Sequence, residues 1–208
     1  MRPEQFIPFL GLAAIYAALA TATLYGLTRL VARPGGRAAP LVFFSLFFFF
    51  LTQHPFPDPA QMICPRPFTE PQTQPFLFLR SFAEMWEKGG GFAEWTRNRI
   101  VAASTMNFAL LGLVGVALRF ATARWIAALI FAPSLSLAAE LTQLTAFWGL
   151  WPCPFRQFNV DDLILNVSGL WLGFALASLV APRFSFPASA SSRRAPPRPS
   201  SGRGGRRK

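Results

Sequence analysis

Residues 163–182 read LILNVSGLWLGFALASLVAP, a stretch in which no residue is charged. The hydrocarbon core of a bilayer is about 30 Å thick, and a helix needs roughly 20 mostly apolar residues to cross it. This stretch is therefore long enough and apolar enough to be a membrane-spanning helix.

Four other parts of the chain have the same character. They are residues 6–27, the gap between Arg37 and Asp58 with its centre LVFFSLFFFFL at 41–51, residues 100–118, and residues 125–148, which only Glu140 interrupts. The second gap is short, so its helix either tilts or extends upstream through Pro40. The sequence predicts an all-α fold: an integral membrane helical bundle of about five transmembrane helices.

The composition favours the same class of protein. Hydrophobic residues make up 52% and charged residues 14%, yet the formal net charge is +11. Soluble domains usually carry about one quarter charged residues. Few charges combined with a high net charge exclude an ordinary cytosolic enzyme, and the aromatic content excludes a disordered chain. One histidine and two cysteines leave little material for a metal site, so we expect no metal and no cofactor.

Most of the net charge lies at the end of the sequence. Residues 183–208 contain eight basic residues and no acidic one. We expect residues 1–182 to form the transmembrane domain, with a motif-bearing core at 100–182, and residues 183–208 to be a disordered basic tail. The expected partners of the tail are anionic lipids at the cytoplasmic leaflet rather than nucleic acid.

Charges in the short connections predict the orientation. Those between spans one and two and between spans three and four are basic without an acid: Arg29, Arg33, Arg37, Arg119 and Arg124. The positive-inside rule places these connections and the C-terminus in the cytoplasm. The N-terminus, the long connection 52–99 and the loop containing Arg156 then lie outside a bacterial cytoplasmic membrane. An alternative is signal-peptidase cleavage after Ala18-Leu-Ala20.

Two features of the long connection stand out. Residues 52–75 are rich in proline and predict an outer loop without helix. Phe78, Phe82, Met85 and Trp86 then recur with helical spacing before Gly89-Gly-Gly91. They predict a short interfacial helix lying on the outer leaflet, or alternatively a loop helix packed on the bundle.

Cys64 and Cys153 both fall on the predicted outer loops. An oxidising compartment would permit a disulfide between them. The alternative is two unrelated free thiols.

Polar residues concentrate around spans four and five. Glu140 and Gln143 share one helix face, with Ser136 one turn earlier, and Asp162 and Asn166 share a face of span five. A carboxylate inside a span costs about 2.5–3.5 kcal/mol on insertion scales, so it needs a partner or a polar cavity. Arg156, in the connecting loop, is the natural counter-ion for Glu140, Asp161 or Asp162. Gly169 and Gly173 form a Gly-x-x-x-Gly pattern that permits close helix packing.

These residues carry a resemblance to a known family. Glu140-x-x-Gln143, Arg156-x-Phe158 and Asp162-x-x-x-Asn166-x-x-Gly169-x-x-x-Gly173 resemble the signature of VanZ-like membrane proteins. Asn107 with Gly115 resembles an earlier helix motif of the same family. The chain departs from the family in the longer stretch between Gln143 and Arg156 and in Asn159, where an acid is frequent.

The resemblance implies a membrane protein of the bacterial cell envelope. The family is named after a member of a glycopeptide-resistance cluster that lowers susceptibility to teicoplanin. The resemblance therefore suggests a role in glycopeptide resistance for this protein too. The resemblance does not imply a reaction.

Three functions are compatible with the polar residues. The first is binding of a lipid or cell-wall-related ligand in an outward-facing pocket between the last two helices, lined by Asn107, Glu140, Gln143, Arg156, Asp161, Asp162 and Asn166. The second is an intramembrane enzyme with Glu140 and Asp162 as general acid and base, although no established catalytic motif supports it. The third is a purely structural polar network that fixes spans four and five.

Overall fold

The structure is a computed structural model that describes residues 3–31, 36–64, 69–89 and 91–180. Eight helical segments follow one another: α1 (Pro3–Val31), α2 (Ala39–Gln53), α3 (Phe78–Glu87), α4 (Phe92–Arg97), α5 (Arg99–Ala121), α6 (Trp125–Leu144), α7 (Ala146–Gly149) and α8 (Val160–Val180). Within these ranges, β-type pairing is limited to one isolated parallel bridge between Gln72 and Asn159. The predicted basic tail at 183–208 lies outside the described residues.

Five helical stretches are long and apolar enough to cross a membrane. They are Leu10–Thr28, Gly36–Gln53, Arg99–Ala121, Trp125–Leu144 and Val160–Val180. The predicted all-α architecture with five spanning helices is confirmed. The second stretch starts before Pro40, which occupies the first turn of α2. Backbone N–H groups in a first turn have no acceptor within the helix, so a proline, which lacks the N–H, loses no hydrogen bond there.

The closest helix pair in the bundle is α5 with α8, and glycines make it so. A Cβ atom built on Gly173 would lie 2.0 Å from the Gly112 carbonyl oxygen. One built on Gly169 would lie 2.2 Å from the Phe108 oxygen, and one on Gly115 would lie 2.1 Å from the Leu170 oxygen. Because real Cβ atoms do not approach oxygen so closely, only glycine permits this backbone contact.

The apolar core lies beside this crossing. Its buried members come from α2, α5, α6 and α8: Phe48, Leu111, Val114, Leu118, Ala128, Ala132, Ala139, Leu170 and Phe174. Large apolar side chains such as Ile15, Leu129 and Leu176 are exposed on the outer faces of α1, α6 and α8. An apolar exterior around an apolar core is the arrangement of a bundle whose solvent is lipid.

Residues 54–64, 69–89, 91–98 and 145–159 lie at one end of the bundle, which we call the long-loop end. Cys64 and Cys153 form a disulfide there, with their Cα atoms 6.0 Å apart. Thus the proline-rich connection is tied covalently to the loop between α6 and α8. Arg119 on α5 donates to the Ser178 hydroxyl on α8 at the opposite end.

The stretch 78–87 that was predicted to be a helix is α3. Met85 is buried, whereas Trp86 is 80% exposed, and the Phe82 ring packs edge-on against Trp95 of α4. Phe82 and Met85 therefore pack on neighbouring elements, and Trp86 points away from them.

The fourth span ends earlier than predicted. The sequence predicted an end near Trp148, but α6 stops at Leu144. Ala146, Phe147 and Trp148 have φ values of 54°, 57° and 60°, so α7 is a left-handed turn. The Thr145 hydroxyl donates to the Leu141 carbonyl at 2.7 Å and accepts from the Trp148 backbone N–H at 3.1 Å. These bonds end the right-handed helix and redirect the chain.

Candidate functional site

A group of charged and amide side chains meets between α6 and α8 at the long-loop end. We call it the polar cluster: Asn107, Glu140, Arg156, Asn159 and Asp162. Glu140 lies one turn before the end of α6, and Asp162 lies in the first turn of α8. Because α6 and α8 pack against each other, both carboxylates reach the same level of the bundle.

Glu140 is the most enclosed carboxylate of the cluster. Its side chain is 2% exposed, and its Oε2 atom accepts a hydrogen bond from the backbone N–H of Asn159 at 2.8 Å. Burying an ionised carboxylate costs several kcal/mol unless charges and donors compensate it. The Asn159 N–H supplies one donor, and the charge of Arg156 acts on the same group.

Arg156 is the basic residue of the cluster. Its Nη2 atom donates to the His54 carbonyl oxygen at 2.8 Å, which anchors the guanidinium to the end of α2. Burial lowers the pKa of Arg156, while the nearby charges of Asp162 and Glu140 act to raise it. The positive charge of Arg156 therefore interacts with two carboxylates, those of Glu140 and Asp162.

Asp162 bonds to the two asparagines of the cluster. Its carboxylate accepts a side-chain hydrogen bond from Asn107 on α5, and Asn159 Nδ2 approaches its Oδ1 at 3.4 Å. Through these contacts the cluster joins α5, α6, α8 and the loop that carries Arg156.

Asp161 has a different environment from its neighbour. Its Oδ1 accepts from the backbone N–H of Phe76, and its Oδ2 accepts from the backbone N–H of Phe78 at 3.0 Å. These N–H groups lie at the start of α3. The first N–H groups of a helix have no acceptor within the helix, so Asp161 supplies one. Asp161 therefore holds α3 against α8, away from Glu140 and Arg156.

Gln143 and Asn166 extend the polar contacts on either side of the cluster. Gln143 Nε2 donates to the Thr52 carbonyl at 3.2 Å and so joins α6 to α2. Asn166 Nδ2 donates to the Ser136 hydroxyl at 3.0 Å inside the bundle. The structure thus places Gln143 at the α2 contact and Asn166 one turn deeper than Asp162.

The segment 69–76 lies across the beginning of α8. Gln72 N–H donates to the Phe158 carbonyl at 2.8 Å, and Val160 N–H donates to the Gln72 carbonyl at 3.0 Å. The Gln72 side chain adds a bond to Asn159 Oδ1 at 3.1 Å. Together with the disulfide, these bonds close the long-loop end over the start of α8.

Three residues that take part in these polar contacts were not among the predicted site residues. Gln72 bonds to Asn159, Gln53 on α2 donates to the Ala139 carbonyl at 3.2 Å, and Asn159 joins Glu140 to Asp162. Gln53 could have been found as a polar residue ending an apolar helix. Gln72 lies in a proline-rich segment and carries no local signal, because its partner is far away in sequence.

The described ranges contain no group of three or more His, Cys, Asp or Glu side chains that could hold a metal ion. The polar cluster presents carboxylate and amide oxygens from three helices beside one guanidinium, so it can bind a ligand through hydrogen bonds and charge.

The fold and the cluster define a class of protein: a helical membrane protein with an acid–arginine cluster near one end of its bundle. A model of the VanZ/LLP1 family matches residues 41–181. The chain belongs to this family. The match includes the whole polar cluster and begins after α1. No curated protein and no solved structure matches the chain.

Proposed function

We propose that this VanZ-like protein binds a lipid or cell-wall-related ligand of the bacterial envelope at the polar cluster between α6 and α8. The observation that carries the proposal is the burial of Glu140, with half-buried Arg156 and Asp162 beside it, at one end of an otherwise apolar bundle. Ionisable residues within spanning helices are costly and mark binding or transport sites by default.

The depth of the cluster fits a ligand at the membrane surface. Glu140 lies four residues from the end of α6, which corresponds to about 6 Å along the helix axis. Head-group regions add roughly 5–8 Å to each side of the hydrocarbon core. The cluster therefore lies near head-group depth rather than at the middle of the bilayer.

The proposed orientation has the long-loop end outside the cytoplasmic membrane. The Cys64–Cys153 disulfide supports this orientation, because disulfides persist in oxidising compartments. Because Glu140 is enclosed, entry of a ligand requires movement of the elements around it.

The test is Glu140→Gln in a strain whose own copy of the gene is deleted. The amide oxygen of glutamine still accepts from the Asn159 N–H, so we expect unchanged abundance and a melting temperature in detergent close to that of the wild type. Complementation, scored as susceptibility to cell-wall antibiotics including teicoplanin or as a change in the lipid profile, should be lost. Glu87→Gln is the matched control, because it removes the same charge from an exposed position on α3.

A different result would support the structural network instead. If Glu140→Gln lowers abundance or melting temperature while each remaining molecule keeps its activity, the cluster serves to stabilise the bundle. The proposed binding function would then be wrong.

A further inference from the structure

Three amide oxygens around the polar cluster have no hydrogen-bond partner among the described residues: Gln53 Oε1, Gln72 Oε1 and Asn166 Oδ1. Gln72 lies in the loop and is half-buried, whereas Gln53 and Asn166 are buried in the helices. The Gln53 side chain is 0% exposed and that of Asn166 is 1% exposed. A buried acceptor without a donor is unfavourable in any protein. Such groups require an explanation, and a bound molecule that supplies N–H or O–H donors would provide one.

The orientation of Gln53 is fixed by its other bond. Its Nε2 atom donates to the Ala139 carbonyl oxygen, so a rotated amide would set two oxygens against each other. The unpaired atom of Gln53 is therefore an acceptor. In Asn166, Nδ2 donates to the Ser136 hydroxyl at 3.0 Å, and Oδ1 is the second amide oxygen without a partner.

Both amides are close to the two carboxylates in the fold. Ala139, which binds Gln53, directly precedes Glu140, and Ser136, which binds Asn166, lies one turn before it. Asn166 lies one turn after Asp162 on the same face of α8. The unpaired oxygens thus come from α2 and α8 and flank the α6 turn that carries Glu140.

The cluster is also short of positive charge. Glu140 and Asp162 have one guanidinium between them, and one of its nitrogens is already bonded to the His54 carbonyl. With all three groups ionised, the cluster carries an excess of one negative charge. In that state the cluster is short of one positive charge, and the two amide oxygens are short of N–H donors.

We propose that the ligand presents a primary ammonium group to Glu140, Asp162, Gln53 and Asn166. This inference rests on the proposed function and specifies the chemistry of its ligand. A primary ammonium carries one positive charge and three N–H donors, which match both shortages. An aminophospholipid head group and a soluble amine share this chemistry.

The experiment uses the full chain purified in detergent and native mass spectrometry. Two samples are compared, one in micelles with phosphatidylethanolamine and one in micelles with phosphatidylcholine of identical acyl chains. The trimethylated head group of phosphatidylcholine keeps the positive charge but has no N–H donor, so the comparison isolates the N–H groups. We expect phosphatidylethanolamine to be retained about tenfold better, the ratio that corresponds to the loss of a well-formed charged hydrogen bond. The preference should disappear in Glu140→Gln and persist in Glu87→Gln.

A second variant guards against misfolding. Gln53→Met removes one unpaired oxygen, together with the hydrogen bond to the Ala139 carbonyl, without changing the charge. We expect it to stay folded at the assay temperature, checked by thermal unfolding, while reducing the preference. Added ethanolamine tests the source of the amine: displacement of the lipid supports recognition of the ammonium alone, and no displacement supports recognition of the whole aminophospholipid.

Two results would overturn the inference. Equal retention of both lipids, or retention of neither lipid together with no effect of ethanolamine on the melting temperature, would show that the cluster does not select an ammonium group. The proposed function is judged separately, by complementation with Glu140→Gln, so the two failures are distinguishable.

Discussion

Asn159 connects the polar cluster to the chain around it. Its backbone N–H donates to Glu140, its Oδ1 accepts from the Asp161 N–H at 2.9 Å, and its Nδ2 approaches Asp162. An aspartate at this position could accept the same bonds at the start of α8 but could not donate to Asp162. The asparagine therefore avoids a further negative charge where two carboxylates already share one arginine.

His54 provides a test of the electrostatics next to the cluster. Burial, followed by the charge of Arg156, lowers the pKa of His54 from its ordinary value of 6.5. In the unfolded chain His54 takes up a proton near that value, whereas in the folded protein it does so only at lower pH. The stability that neutral His54 contributes is thus present above about pH 6.5 and is lost as the pH falls toward the folded pKa.

We expect His54→Gln to weaken this pH dependence. Glutamine does not titrate, so the fall in melting temperature between about pH 7.5 and about pH 5.5 should be smaller in the variant than in the wild type. Thermal unfolding in detergent at the two pH values measures it. Parallel curves for the two proteins would show that protonation of His54 is not linked to folding.

The glycine contact between α5 and α8 governs packing at the scale of helices. Gly173→Ala would place a methyl group 2.0 Å from the Gly112 carbonyl oxygen, and backbone on both sides leaves no flexible side chain to yield. The helices must separate, so we expect a loss of about 1–3 kcal/mol in the free energy of unfolding, as in other overpacked cores. Reversible unfolding in mixed micelles measures this loss.

Gly26→Ala is the matched control, because nothing lies within 4 Å of a Cβ atom built at that position in α1. It should leave stability unchanged or raise it slightly, since alanine favours helix more than glycine does. Equal effects of the two substitutions would mean that helix propensity, rather than the contact with α5, determines the cost.

The helices were predictable where the signal is local. Charge-free stretches of about 20 residues mark the spans because the bilayer imposes that length, and apolar spacing marked α3. The left-handed turn at Ala146–Gly149 was not predictable, because alanine, phenylalanine and tryptophan rarely adopt positive φ. Helix α4 is short, and it was missed.

The candidate site was predictable only in part. The spacing of Glu140, Asp162 and Asn166 assigned them to faces of α6 and α8. The place of Asp161 at the start of α3 and the role of Gln72 depend on contacts between segments more than 80 residues apart, at sequence separations of 85 and 87. A pattern within one helix contains no information about such pairs.

The two ends of the whole molecule differ in chemistry. The long-loop end carries the disulfide, the polar cluster and exposed aromatic side chains such as Trp86 and Trp148, which are typical of a membrane–water interface. The short connection at the opposite end, residues 122–124, contains Arg124 and no acid. This asymmetry supports an orientation with residues 122–124 in the cytoplasm.

The orientation can be tested with single added thiols. The chain has two cysteines, and both are in the disulfide, so a maleimide that does not cross membranes should leave the wild type unlabelled. Glu87→Cys adds an exposed thiol at the long-loop end, and Ala123→Cys adds one at the opposite end. We expect labelling of Glu87→Cys in cells whose cytoplasmic membrane is intact and labelling of Ala123→Cys only after lysis, because the positive-inside rule retains the basic connection in the cytoplasm. The reverse pattern would place the polar cluster on the cytoplasmic side, where ligands of the cell wall could not reach it, and would leave cytoplasmic-leaflet lipids as its partners.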